Sequence, residues 1–358
     1  MKSWPDTRIL DLFGIDIPII QAPMAGPVLS EMVIAVSEAG GLGSLPCAML
    51  NADQLRAELT AIRQHTSHPF NVNFFCHHPP DPDQSRETAW RQRLARYYSE
   101  LGIDPQAPIP SSSRTPFDRD ICDLTIEFKP PVVSFHFGLP SKDLLSRVKA
   151  SGAKILSSAT TVNEARWLEA EGCDAIIAQG YEAGGHRGMF LDGNISTQVG
   201  TIALVPQVVD AVKVPVVAAG GIADARGILA ALALGASAVQ IGTAYLFCPE
   251  AKISPIHRRA LKNAKDSETV LTNVFTGRPA RGILNRILRE VGPMSDLAPE
   301  FPLAAGALAP LRSRAEAAGS DDFTPLWSGQ AASLAKELPA GELTKKLAAD
   351  TLMSLKTG

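Results

Sequence analysis

The chain has 358 residues, 45% of them hydrophobic and 20% charged, with a net charge of −3; this is the composition of an ordinary soluble globular protein, long enough for one large domain with insertions or for two. The charge balance gives no electrostatic grounds for nucleic acid or an anionic membrane surface as a partner, and no apolar run reaches the length of a bilayer span. Five scattered cysteines without a C-x-x-C pair, and an N-terminus without signal-peptide layout, fit reduced thiols in a cytoplasmic protein better than a disulfide frame or a zinc site.

Residues 17–26 read as a short buried strand ending at Gln21, followed by a loop through Ala22, Pro23 and Met24. A helix pattern runs from about Ser30 to Ala39 and stops at Gly40-Gly41. A second strand at 41–45, a helix over 51–65 capped by Asn51 or Asp53, and a third strand at 69–75 follow, the last with Asn71 and Asn73 at period two. Such alternation is the signature of a parallel α/β sheet. It is then interrupted. Residues 77–83 form a loop, 85–101 are helical and strongly charged, and 105–116 are a Pro/Ser-rich connector. The stretch 77–130 reads as a surface insertion whose apolar content is too low for a core of its own.

The pattern resumes with a fourth strand at 131–135, which has His136 at its C-terminal end. A helix at 141–151, a strand at 154–157 and a helix opened by the Thr161-x-x-Glu164 capping box come next. The sixth strand, 175–178, runs into the glycine-rich loop Gln179-Gly-Tyr-Glu-Ala-Gly-Gly-His-Arg-Gly188. Beyond a helix near 198–212 lie the seventh strand at 214–221, a helix capped by Asp224, and the eighth strand at 236–243. Eight strands separated by helices predict an α/β fold, a closed (β/α)8 TIM barrel with a helical insertion after strand 3. A doubly wound sheet accounts less well for polar residues that all fall just after a strand. Residues 246–321 are expected to form a helix-rich extension covering the active-site side. Residues 322–358 return to the barrel assigned to 1–245, ending in an amphipathic helix near 342–355.

In such a barrel, function gathers at the C-terminal strand ends. Gly220, Gly221, Gly242 and Thr243 can offer backbone N–H groups and a hydroxyl to a phosphate, with a helix starting after Asp224. The neutral amides of Gln21, Asn71, Gln179 and Gln240 suit the N–H and carbonyl edges of an isoalloxazine ring, and no grouped carboxylates or histidines suit a metal. Together these point to FMN. No G-x-G-x-x-G follows the first strand, so a Rossmann dinucleotide site is unsupported. His186 is the candidate general base. His136 is either a site residue or a strand-end imidazole bonded to a neighbouring loop. The remaining candidates read first as structural: His77-His78 as a surface loop rather than a metal site, Cys76 and Cys173 as small core hydrophobes, Glu182 as an acceptor of loop or helix N–H groups with substrate steering the alternative, and Arg278, Arg281 and Arg286 as a solvated or salt-bridged face with an anion site the alternative.

The segments Gln21-Ala-Pro-Met-Ala-Gly26, Gly40-Gly-Leu-Gly43, Phe70-Asn-Val-Asn73, Gln179 to Gly188, Ala219-Gly-Gly-Ile222 and Gln240-Ile-Gly-Thr243 resemble, in order, the nitronate monooxygenase (2-nitropropane dioxygenase) family over most of residues 10–285. The resemblance implies an FMN-dependent barrel that oxidises alkyl nitronates, or nitroalkanes, with O2 to a carbonyl compound and nitrite. It implies FMN contacts at Ala22, Pro23, Met24, Asn71, Gln179, Gly184, Gly185, Gly220, Gly221, Gln240, Ile241, Gly242 and Thr243. It also implies His186 as catalytic base and His136 as a second active-site histidine. Ser134 to Pro140 and the long C-terminal region resemble the histidine-containing class, and Trp327 is the aromatic suggested over the pocket. Two other readings stay open: an NAD(P)H-dependent FMN enoyl-acyl-carrier-protein reductase sharing the Glu-Ala-Gly-Gly-His segment, and a barrel that binds FMN or phosphate without turnover. A homodimer is left open as well.

Overall fold

Runs of β-branched and small apolar residues, buried on both faces, make strands that only a parallel, helix-covered sheet can accommodate. In the computed structural model they are β1 (Ile19–Gln21), β2 (Gly43–Pro46), β3 (Phe70–Phe75), β4 (Val132–His136), β5 (Lys154–Ala159), β6 (Ala175–Gln179), β8 (Val216–Ala219) and β9 (Ala238–Ile241), while the two-residue β7 (Gly185–His186), between β6 and β8 in the chain, is half-buried and lies outside this sheet. The structure describes residues 4–357 except 82, 107, 109 and 111–113, so part of the Pro/Ser-rich connector and one position of the 77–83 loop lie outside the described residues. Eight strands pair in parallel in the order β1-β9-β8-β6-β5-β4-β3-β2. The ring closes where Leu42 bridges Ile20: Gln21 N–H donates to the Leu42 carbonyl at 3.0 Å and Leu42 N–H to the Ile19 carbonyl at 3.0 Å. The fold is therefore the expected (β/α)8 TIM barrel.

Alternate strand residues fill the barrel interior. Ile20, Val132, Leu156, Ile177, Val217 and Ala238 pack together there, joined by Ile9 and Phe13 of the N-terminal helix Arg8–Phe13. The opposite strand faces pack under the surrounding helices in a larger apolar layer that includes Val33, Leu59, Val133, Ile155 and Val239. Such two-layer filling is what fixes the strand ends in space.

The insertion and the extension share a further core. The helix Gln84–Glu100, started by the Asp83 carboxylate accepting from Arg86 N–H, buries Trp90, Leu94, Tyr97 and Tyr98. They pack against Val274, Phe275, Ile287, Leu288 and the helix Ala304–Ala317, and the Trp90 indole N–H donates to the Ala304 carbonyl at 3.2 Å. The charged residues of this helix lie outside that core, half-buried or exposed.

The extension also holds two strands that its helical sequence pattern hides, β10 (Thr269–Thr272) and β11 (Ala280–Ile283). With β7 they form an antiparallel sheet in the order β10-β11-β7. The chain then returns through a bridge between Gly282 and Trp327. Its last helix, Ala340–Thr357, packs against the helices Ser30–Glu38 and Ala225–Ala233. Among the described residues no helix is long and apolar enough to cross a membrane.

Candidate active site

One cleft opens at the C-terminal ends of the barrel strands. Its lining includes Ala22, Pro23 and Met24 after β1, His136 at the end of β4, and Gln179, Gly184, Gly185 and His186 on the β6–β7 segment. Gly220 and Gly221 after β8, and Gln240, Gly242 and Thr243 at and after β9, complete the ring. Three expected contacts are elsewhere, one of them Gln21, which is fully buried with its side-chain oxygen accepting from Ser44 N–H at 2.9 Å. Asn71 is fully buried inside the barrel, where its amide nitrogen donates to Ser44 and Ser134 hydroxyls at 3.1 and 2.9 Å. Asn73, one step nearer the mouth on the same strand face, lines the cleft instead. Ile241 points outward into the layer between strands and helices.

His186 sits on a strand, although its two-residue length gave no readable period. Ala280 and Arg281 of β11 pair with His186 and Gly185, and Arg187 N–H donates to the Pro279 carbonyl at 2.9 Å. From the barrel side, the Gln179 side-chain amide donates to the His186 carbonyl at 3.0 Å and accepts from Gly188 N–H at 2.7 Å. His136 Nε2 lies 3.3 Å from that same carbonyl and its Nδ1 lies 3.1 Å from the Ser158 hydroxyl. A carbonyl can only accept, so His136 carries its proton on Nε2 and accepts from Ser158 at Nδ1. His136 thus joins both expectations, lining the cleft and bonding the neighbouring loop.

Arg187 is the fixed point behind this segment. It is fully buried, and its guanidinium donates to the carbonyls of Gln179 (2.8 Å) and Gly180 (2.5 Å) and twice to the Gln198 side-chain oxygen (3.0 and 2.8 Å). Every one of these acceptors is neutral. Burial pushes its pKa down to about 10. Arg281 is buried as well and donates to the Tyr181 and Thr269 carbonyls, and Arg278 lies half-buried with its guanidinium 4.0 Å over the Phe137 ring. Neither is the solvated face expected from sequence. Arg286 is, bridging Glu100, Glu290 and Asp322 at the surface.

The imidazole of His186 is open only to the cleft and ringed by aromatics. Centroid distances are 5.3 Å to Phe301, 5.5 Å to Trp327, 6.0 Å to Phe137 and 6.2 Å to Phe75. His186 Nε2 is 3.0 Å from the Thr276 hydroxyl, which lies 3.3 Å from the Arg278 carbonyl. Desolvation, helped by the positive charges of Arg114 and Arg278, holds the His186 pKa well below 6.5. Burial likewise lowers His136 to about 3, and His77 and His257 to about 4. The His77-His78 stretch is a loop with His78 exposed, as expected, but His77 turns inward and is buried with its ring edge-on to Phe301 at 4.8 Å. The sequence carried no signal for Thr276, Ser158, Phe137 or Phe301, which come from separate segments, and only the period-two spacing from Asn71 pointed at Asn73.

The strand ends expected to hold a phosphate are glycine-rich for a geometric reason. Gly220 and Gly221 have φ of 107° and 71°, a region side-chain-bearing residues rarely adopt. A Cβ on Gly184 would lie 2.4 Å from Gly329 N. Gly242 leads into the short 3-10 helix Thr243–Phe247, which has no side-chain cap. The helix after Asp224 contributes less than expected, because the Asp224 carboxylate already accepts from Arg226 and Gly227 N–H groups. Glu182 likewise accepts from the Thr201 N–H and hydroxyl at the next helix start, the structural role expected of it. The Gln240 side-chain oxygen is buried in the cleft wall without a hydrogen-bond partner among the described residues.

A family model described as nitronate monooxygenase matches residues 6–350. A nitronate monooxygenase of Pseudomonas aeruginosa is 44% identical over 342 residues, spanning 95% of this chain and 97% of its own length. The solved structure of a nitroalkane oxidase from Streptomyces ansochromogenes matches with a TM-score of 0.89 at 39% identity, over 98% of this chain and 99% of that one. FabK from Thermotoga maritima matches with a TM-score of 0.74 at 30% identity, over 98% and 97%. The chain belongs to the nitronate monooxygenase family of flavin oxidoreductases.

Proposed function

We propose that the protein oxidises alkyl nitronates with O2 to a carbonyl compound and nitrite, using FMN at the barrel mouth and His186 as the base that also admits neutral nitroalkanes. The observation that carries this reading is the convergence on one cleft of a buried imidazole bonded to Thr276 and carried on a doubly bonded backbone carbonyl, with glycine strand ends and an unpartnered amide oxygen. The residues fit FMN. Gln240 Oε1 is an acceptor in want of an N–H such as the ring's N3–H, and backbone N–H groups at 220–221 and 242–243 would take the phosphate. FMN, when bound, supplies electron acceptance and reoxidation by O2.

The protein's own part is proton handling and anion binding. A hydroxyl has one hydrogen; with that of Thr276 given to the Arg278 carbonyl, its oxygen accepts from His186 Nε2–H. His186 Nδ1 then keeps its lone pair and can take the proton α to a nitro group. Arg278 and Arg114 act twice. They add to the burial that keeps the imidazole neutral, and their charge favours the nitronate anion over its neutral conjugate acid.

Anaerobic addition of a short alkyl nitronate should bleach the visible absorbance of the bound flavin while NADPH leaves it intact; bleaching by NADPH alone would favour the reductase reading, and no response to either would favour a binder. His186→Asn should lower kcat/KM for neutral nitroalkanes by about 10²–10⁴-fold with flavin retained, and spare preformed nitronates, which need no base. Thr276→Val should lower the nitroalkane rate by roughly tenfold, the effect of about 1.4 kcal/mol, and Thr276→Ser should restore it. Equal losses on nitroalkane and nitronate in both variants contradict the base assignment.

Four histidines whose folded pKa values lie below 6.5 bind protons only in the unfolded chain between about 4 and 6.5, so stability must fall as pH drops through that window. Urea unfolding should show a slope steeper than the ~1.4 kcal/mol per pH unit of a single proton between pH 6 and 5. A flat stability there shows these imidazoles are not buried neutral.

A further inference from the structure

Behind one wall of the cleft lies a second cavity of about 130 Å³. Its interior is made of Cys47, Ala48, Phe74, Phe117 and Ile121, and Phe75 separates it from the cleft, lining both spaces. Only the rim is polar, at Asn51, Thr115 and Asp118. Inside, the Cys47 thiol is engaged with the Leu45 carbonyl at 3.4 Å. The inner walls of this space suit hydrocarbon, while its rim opens to solvent.

Phe75 is the last residue of β3 and follows Asn71 and Asn73 on one strand face. Its carbonyl accepts from Phe117 N–H at 2.8 Å, so the backbone is held between barrel and insertion while the ring remains a side-chain partition. On the cleft side that ring lies 4.8 Å from Phe137, 5.8 Å from His136 and 6.2 Å from His186. A substrate whose reacting carbon is within reach of His186 would therefore direct its alkyl tail past Phe75 or stop against it.

We propose that Phe75 sets the chain-length limit of the substrate. Its ring confines the site to short alkyl nitronates, and the apolar cavity behind it is latent tail space for longer straight-chain ones. This rests on the nitronate reading, so the test separates the two. Straight-chain carboxylates from two to eight carbons are planar anions with two oxygens, like nitronates, and their binding to the flavin-loaded protein is read by calorimetry whether or not turnover occurs.

In the wild type, affinity should stop rising after the first few carbons. In Phe75→Ala it should keep rising by about fourfold for each further methylene buried, and kcat/KM for a six-carbon nitronate relative to a two-carbon one should rise at least tenfold. Ile121→Trp, which fills the cavity from a position outside the catalytic machinery, should return the Phe75→Ala profile to the wild-type cutoff and leave the wild type itself unchanged. Phe75→Leu provides a milder enlargement expected to fall between the two. An unchanged cutoff in Phe75→Ala, a wild type whose affinity already climbs through eight carbons, or a gain that Ile121→Trp does not reverse each overturns the proposal. So does a failure of every carboxylate to bind. Lack of turnover of any nitronate, with the carboxylate series behaving as described, instead removes the nitronate reading and leaves Phe75 as the limit on an alkyl anion of another kind.

Discussion

The carbonyl of His186 is where the barrel and its extension are held to each other. Gln179 and His136 reach it from barrel strands, β11 pairs with the residue from the extension, and Arg187 next door binds the carbonyls that end β6. A buried guanidinium without a carboxylate is an expensive feature, and removing its neutral partners would strand the charge. The orientation of one imidazole is thus set by two parts of the chain, the Thr276 contact spanning 90 residues of sequence. A bare barrel would present this loop but could not fix it.

Electrostatics follow from the same arrangement. The interior near the cleft gathers Arg187, Arg278 and Arg281, against Glu164 and Glu182, whose oxygens are engaged by Thr160, Phe190 and Thr201 N–H groups. Burial depresses the imidazoles, and the positive field of nearby arginines such as Arg278 adds to that and favours anions. A histidine kept neutral in a positive field is a base without being a competing cation, which is what proton abstraction beside an anionic product requires.

The barrel was legible because its strands follow the simplest rules available: short apolar runs, capped helices, glycines at the ends. Strand-end residues such as His136, Gln179 and Gly220 were legible for the same reason, since the fold places such positions at the mouth. What sequence could not show was assembled from afar. β7, β10 and β11 are too short or too mixed for a period, and the buried face of the helix Gln84–Glu100 lies under a charge-rich composition. His77 looked exposed because its partner Phe301 is more than 200 residues away. Asn71 and Asn73 share one face, and only depth in the barrel decides which reaches the cleft.

The account stands on a flavin mononucleotide seated between the β8 and β9 ends and the imidazole of His186. Release of the cofactor from the purified protein by denaturation, followed by mass measurement and absorbance stoichiometry, tests this most directly. The account predicts FMN at one per chain, recovered by the wild type and by His186→Asn alike. A colourless protein that refuses added FMN, or one carrying a different flavin, would contradict it.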